Sequence, residues 1–309
     1  MGELGYRIDR TAYLPDPDEP VDRWFQASNA SNVRTTVGVL ALLREVGARI
    51  VIDPFAGGGS TAMAARLRCQ PFYGIEMNPV LACISLAKAE GRPHHAQLLP
   101  DLRDADRPEW LPAALGGISG RVAPQDAPTV AAMAVVAALR ATDGRPIDRT
   151  TLHEDLTATP SPAGPGRTVC GDAVSESAWK LLDPPELPAL VYCSPPFGPS
   201  SPSLWAPPAI RQGAAELLGA AGLFCPDGRG PMPGYTDITM GMLHRMVRHV
   251  RRGALVLEHE PDDEGRSAVA PLMARIRDEL GDVLHSPLVD TYPAFTDRGP
   301  FTLITHRIR

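Results

Sequence analysis

A doubly wound α/β fold, with a mostly parallel sheet of seven strands and an antiparallel terminal strand, is predicted by three observations. Ile50-Val51-Ile52 is a short apolar run that ends at Asp53, opens into Gly57-Gly58-Gly59 and continues as the helix-forming stretch Thr61 to Leu67. Phe72-Tyr73-Gly74-Ile75 is a second such run, ending at Glu76 one strand-helix-strand unit later. Further apolar runs alternate with helical stripes to the C-terminus, which is the pattern of parallel strands with crossover helices on both faces.

From the N-terminus, residues 1–21 read as an exposed arm in which Asp16, Asp18 and Glu19 are interleaved with Pro15, Pro17 and Pro20, and residues 22–309 as one domain. Asn29 to Val46 carries Val33, Val37, Leu40, Leu42 and Leu43 at helical spacing. Trp24 and Phe25, just before it, read first as a hydrophobic cover on that helix and second as contacts to a bound ligand. Val80 to Glu90 is the helix after the second strand.

Residues 91–166 then form an insertion, irregular apart from the helix Val130 to Arg140. In it Asp101, Asp104 and Asp106 face solvent, and adjacent His94 and His95, lacking metal-ligand spacing to other residues, read as a solvated pair. A third strand precedes Gly171-Asp172-Ala173, and Leu190 to Cys193 forms a fourth. Residues 198–236 make a second irregular insertion, a candidate substrate-recognition loop whose Trp205 is either a stacking partner or buried under its own loop.

Ile238 to Val250 is a helix whose last turns collect Arg245, Arg248, Arg251 and Arg252, cations that complement the helix dipole there. Gly253 to His259 is the fifth strand, and Arg266 to Leu280 a helix with Val269, Leu272, Met273, Ile276 and Leu280 on one face. Val283 to Tyr292 and Phe301 to Ile308 close the sheet as a hairpin-like pair.

Composition narrows the function classes. With 309 residues, 44% of them hydrophobic, the chain has ample material for a core. A formal net charge of −6, with Lys88 and Lys180 the only lysines, is not the basic footprint of a nucleic-acid binder, although local patches are compatible with it. Cys69, Cys83, Cys170, Cys193 and Cys225 form no CxxC pair and read as reduced thiols without a zinc site, so no metal is expected. No export signal and no apolar run of about 18 residues is present, so a cytoplasmic protein without a membrane span is expected.

The glycine loop carries the chemistry. Glycines without a Cβ let a ligand lie directly on the main chain beside the first amides of a helix. The loop lacks the Lys-Ser/Thr ending of a phosphate-binding P-loop, and its spacing is not G-x-G-x-x-G. Glu76, at the tip of the second strand and roughly 20 residues beyond Asp53, sits where an acid accepts both hydroxyls of a cofactor ribose.

The run Asp53-Pro54-Phe55-Ala56-Gly57-Gly58-Gly59-Ser60 resembles the cofactor loop of S-adenosylmethionine-dependent amino methyltransferases, the group that includes DNA adenine-N6 and cytosine-N4 methylases. Glu76-Met77-Asn78-Pro79 resembles that family's post-strand sequence, and Gly171-Asp172-Ala173 its adenine-binding turn. Ser194-Pro195-Pro196-Phe197 resembles its catalytic (D/N/S)PP(Y/F) signature in the serine and phenylalanine form.

The resemblance implies a class I, Rossmann-like fold and S-adenosyl-L-methionine as cofactor, held by Asp53, Pro54, Phe55, Ala56, Gly57, Gly59, Ser60, Thr61, Glu76, Met77, Asp172, Ala173 and Ser194. It also implies catalysis by Ser194, Pro195, Pro196 and Phe197. An aromatic amine is a poor nucleophile because its lone pair is delocalised. Ser194 Oγ and the Pro195 carbonyl can hold its hydrogens, the proline pair stiffens the loop, and Phe197 can stack on the target ring.

The expected activity is methylation of an exocyclic amine of a DNA base, with serine favouring cytosine N4. The same chemistry on an RNA base, a protein amide or a small amine is the alternative, favoured by the acidic chain and by the lack of a basic recognition region in 91–166 or 198–236. A non-catalytic cofactor-binding scaffold is a third reading.

Overall fold

The structure, a computed structural model, describes residues 20–25, 47–164, 166–195, 206–225, 234–259, 263–292 and 301–308. The expected arm up to residue 19, the Asn29 to Val46 helix, and Pro196, Phe197 and Trp205 lie outside the described residues.

The strands are β1 (Ile50–Asp53), β2 (Phe72–Glu76), β3 (Arg167–Cys170), β4 (Ala189–Cys193), β5 (Gly253–His259), β6 (Leu284–Tyr292) and β7 (Phe301–Ile308). They form one seven-stranded sheet in the order β3-β2-β1-β4-β5-β7-β6. Pairing is parallel from β3 through β5, and β7 runs antiparallel between β5 and β6. The doubly wound sheet with an antiparallel final strand is therefore as expected. The chain's last strand slots inside the sheet and leaves β6 at the edge.

Strand residues feed two cores by alternation. Ile50, Ile52, Ala189, Val191, Leu255 and Leu257 point to one face, whereas Val51, Leu190, Tyr192, Ala254 and Val256 point to the other. Burial on both faces is why these strands read as continuous apolar runs.

The helices are α1 (Ser60–Leu67), α2 (Pro79–Glu90), α3 (Pro93–Leu98), α4 (Trp110–Arg121), α5 (Ala127–Thr142), α6 (Arg149–Ala158), α7 (Glu176–Leu182), α8 (Pro208–Ala220), α9 (Tyr235–His249) and α10 (Asp263–Leu280). Helices α7, α9 and α10 cover the first of the two faces, with Trp179, Leu243, Met246, Leu272 and Ile276 in its core. Helices α1 to α6 and α8 contribute to the second.

The insertion at 91–166 is thus more regular than expected, with α3 to α6 where one helix is predicted. Its α5 is buried almost all round: every residue from Val130 to Leu139 is 3% exposed or less, as befits a helix without a polar face. The second expected irregular section also contains a core helix, since Ile210, Ala214 and Leu218 of α8 pack on that same side.

Three polar links fasten the insertion and the N-terminal segment to α1, α2 and each other. Arg66 of α1, 1% exposed, donates from Nε to the Pro160 carbonyl at 2.6 Å and from Nη1 to the Lys88 carbonyl at 3.1 Å. Lys88 Nζ meets Asp22 Oδ1 at 2.8 Å with both side chains at most 1% exposed, a pair whose breakage costs about 3–5 kcal/mol. Arg23 pairs with the buried Asp155 carboxylate, which also accepts from Trp24 Nε1 at 2.8 Å. Trp24 is buried, the helix that it was expected to cover lies outside the described residues, and the segment delivers Phe25 to the glycine loop.

Candidate active site

In a doubly wound sheet, chains leaving neighbouring strands in opposite directions open a crevice at the strands' C-terminal ends. Here β1 and β4 are adjacent, and β2 and β5 flank them. The acids and loops singled out from the sequence gather along this edge. Asp53 closes β1, Glu76 closes β2, Gly171-Asp172-Ala173 follows β3, and Ser194 and Pro195 follow β4.

The first loop is folded by its own backbone. Ala56 N donates to the Ile75 carbonyl at 2.9 Å, which stitches the loop to β2, and Gly59 N donates to the Ala56 carbonyl at 2.9 Å. Gly59 caps α1 at φ 81°, a left-handed conformation that costs glycine little. A Cβ there would lie 2.9 Å from Ser85 Cα, so glycine also lets the loop rest on α2. At Gly58 a Cβ would come within 2.6 Å of Cδ1 of Phe25, whose ring covers that stretch of loop. Pro54, Ala56, Ser60 and Thr61 are buried, and Phe55 and Gly57 half-buried.

Both oxygens of Glu76 accept backbone amides. Gly57 N reaches Oε2 at 2.9 Å and Asn78 N reaches Oε1 at 2.8 Å, so this carboxylate is clamped between the glycine loop and the turn into α2. Asn78 then caps α2, its Oδ1 accepting Val80 N at 2.9 Å with Pro79 at the first helical position. Met77, between them, is 44% exposed beside the acid. Gly171 N donates to the Glu76 carbonyl at 3.0 Å, which brings the third motif against the second. Asp172 is buried and accepts Val174 N on Oδ1 at 3.1 Å, while the Ala173 carbonyl accepts Trp179 Nε1 at 2.8 Å.

Asp53 carries a perturbed acidity. Burial raises its pKa from 3.8 to about 7, and the nearby Glu76 and Glu258 carboxyls add to the rise. Bonds from the Thr61 side chain and from Phe55 N, the latter at 2.9 Å, oppose it without cancelling it. The acid thus changes charge near neutrality, behaviour that clusters at functional sites.

Glu258 belongs to the same edge and was not singled out from the sequence. It sits near the end of β5, 2% exposed, and accepts the hydroxyl of Tyr192, itself 1% exposed on β4. The signal was present: Glu258 follows an apolar strand run as Asp53 and Glu76 do. Cys193, one residue before the serine motif, is driven well above the usual thiol range by burial first and by Asp53 and Glu258 next. Ser194 is half-buried and Pro195 buried, immediately past β4.

Other sequence readings resolve away from this edge. His94 is exposed but His95 is 3% exposed, which corrects the expectation of a solvated pair. His95 Nδ1 accepts Arg92 N at 3.2 Å, so its proton sits on Nε2 and points to Asp126 Oδ1 at 3.2 Å. His94, His95 and Asp126 bring their ligand atoms within 4.8 Å of one another, which corrects the expectation that the two histidines lack spacing to another ligand. Arg245 and Arg248 of α9 each lie 3.6 Å from Glu176 of α7, and His249 stacks on Trp179. All five cysteines are free thiols. Among the described residues, no helix is long and apolar enough to cross a membrane.

No protein-family model matches the chain, and no curated protein matches it. Solved structures similar to it include magnesium protoporphyrin IX methyltransferase (ChlM) from Synechocystis PCC 6803 with bound SAH, at 12% identity and a TM-score of 0.39 over 90% of this chain and 83% of that one. TrmN from Thermus thermophilus is similar at 12% identity and a TM-score of 0.35, over 93% of this chain and 50% of that one.

Proposed function

We propose that this chain is an S-adenosylmethionine-dependent N-methyltransferase whose acceptor is the exocyclic amine of a DNA base, cytosine N4 before adenine N6. The observation that carries the reading is convergence. Four sequence motifs spread from Asp53 to Ser194 meet at the C-terminal ends of β1 to β4, on both sides of the point where the chain reverses its winding.

The residues present fit the cofactor. S-adenosylmethionine carries a sulfonium and an ammonium group, and an edge bearing Asp53, Glu76 and Glu258 favours a cation. Glu76, oriented by two amides, accepts ribose hydroxyls; Asp172 takes the adenine amino group; Gly57 and Gly59 let the ligand approach the main chain. The bound cofactor supplies an electrophilic methyl group. Ser194 Oγ and the Pro195 carbonyl accept the hydrogens of the amine, so that its lone pair turns out of the ring. Rate enhancement of this kind is positioning and electrostatics.

One observation favours a second reading, the same chemistry on an RNA base, a protein amide or a small amine. The chain is acidic, at −6, and Arg245 and Arg248 of α9 are drawn onto Glu176. Transfer of labelled methyl groups to DNA, RNA, nucleosides and a cell extract, each with a Ser194→Ala control, separates the two. Label recovered from DNA as N4-methylcytosine or N6-methyladenine supports the first reading; label confined to the RNA, protein or small-molecule fraction supports the second.

A further inference from the structure

A cavity of about 390 Å³ opens between the N-terminal segment and the insertion, away from the strand tips, and its walls carry three guanidinium groups. Arg23 comes from the segment before the glycine loop, Arg140 from the last turn of α5, and Arg145 from the turn that joins α5 to α6. Pro146, Ile147, Asp148 and Thr151 complete the lining. The three arginines are brought together by tertiary folding, since Arg23 is remote from the other two in sequence.

Their charges are not disposed of equally. Arg23 is fixed by a two-bond pair with Asp155. Among the described residues Arg145 pairs with Asp143 alone, at 3.7 Å and with both side chains about half exposed, an arrangement worth little. Arg140 Nε is buried and has no hydrogen-bond partner among the described residues. Burial, Arg145 and Arg23 all press against the Arg140 charge, with Asp143 opposing. The carboxylate of Asp148 is engaged in capping α6, where Oδ1 accepts Thr151 N at 2.7 Å.

Like charges facing one hollow repel one another, and an anion in the hollow relieves that repulsion. Arginine forks match phosphate oxygens in pairs, and the cavity volume falls within the range of small-ligand sites, roughly 300–1,000 Å³. It exceeds a lone phosphate several-fold, and Ile147 offers apolar surface to an organic remainder.

We propose that this cavity is a binding site for a small phosphate ester, its phosphate held by Arg140 and Arg145 with Arg23 beside them. The proposal is independent of the methyltransferase reading, because none of its residues belongs to the strand-tip edge.

The test is calorimetric titration of the full chain with inorganic pyrophosphate and with ribose 5-phosphate, at ionic strength held constant with chloride. Saturable one-to-one binding is expected for the wild type. Arg140→Gln and Arg145→Gln should each weaken it by at least ~10-fold, as loss of a charge-assisted hydrogen bond requires, and Glu76→Ala should leave it unchanged. Arg145 is about half exposed, so its variant keeps the test open should Arg140→Gln fail to fold. No saturable binding of either probe, or equal affinity in a folded Arg145→Gln variant, would overturn the proposal. A single-stranded oligonucleotide that binds in an Arg140-dependent way where both small probes fail would also overturn it, and would assign the hollow to backbone phosphates instead.

Discussion

Replacing Asp53 by asparagine tests the electrostatics of the strand-tip edge on folding alone. Asp53 is 3% exposed, and burial, with Glu76 and Glu258 near, lifts its pKa from 3.8 to about 7. A carboxyl whose folded pKa lies above its unfolded value favours the folded state fully below the unfolded pKa. That contribution is lost as pH rises through the folded one. At 1.36 kcal/mol per pH unit over roughly three units, the wild type forfeits up to about 4 kcal/mol between pH 3.8 and pH 7. Asparagine keeps an acceptor for Phe55 N and has no charge to desolvate. Urea unfolding of both proteins between about pH 4 and about pH 8 should therefore show Asp53→Asn gaining on the wild type by up to ~1.4 kcal/mol per pH unit and levelling off near neutrality. Parallel stability curves, or a wild type that gains on the variant as pH rises, would refute the reasoning.

Three further outcomes are expected. His306 on β7 is 2% exposed, neither ring nitrogen has a hydrogen-bond partner among the described residues, and burial lowers its pKa from 6.5 to about 4. Its contribution is intact above pH 6.5 and is lost as pH falls toward 4, so His306→Leu should remove an acid-side loss of about 3 kcal/mol in the same urea series. Because the Asp53 and His306 slopes oppose each other over the shared range, the two single variants should change the wild-type slope in opposite senses, and the doubly substituted chain should return close to the wild-type slope. Gly59→Ala places a Cβ 2.9 Å from Ser85 Cα at a residue with φ 81°, and should cost about 1–3 kcal/mol of stability by thermal melting.

Much of the fold was legible because its strands are buried on both faces. Such strands read as unbroken apolar runs, and in β1, β2 and β5 an acid at or near the C-terminal end closes the run, as Asp53, Glu76 and Glu258 show. The regularity of the insertion was not legible. Helix α4 is WLPAALGGISGR, with a proline and three glycines that read as turn signals, yet Leu111, Ala114 and Ile118 are buried and hold it against the core. Tertiary burial outweighs local propensity there. Helix α8 was hidden in the same way among prolines and glycines.

At the candidate site, spacing put Asp53 and Glu76 at strand tips and the resemblance singled out Asp172 and Ser194; all four lie at or just past the C-terminal ends of β1 to β4. Neither signal could locate the pairing of Tyr192 with Glu258, which depends on β4 lying beside β5. Nor could they show that His95 is buried, because its partner Asp126 lies on a separate stretch before α5. The role of Phe25 likewise emerges only from the anchoring of its segment through Asp22 and Lys88, Arg23 and Asp155.

The central claim is that the edge formed by β1, β2, β3 and β4 holds S-adenosylmethionine with Glu76 on its ribose. Calorimetric titration of S-adenosylmethionine into the wild type and Glu76→Ala tests it most directly. One equivalent bound by the wild type, weakened by roughly 1.5–3 kcal/mol in the variant, is the predicted result. No binding by the wild type, or equal affinity in the two proteins, would contradict it.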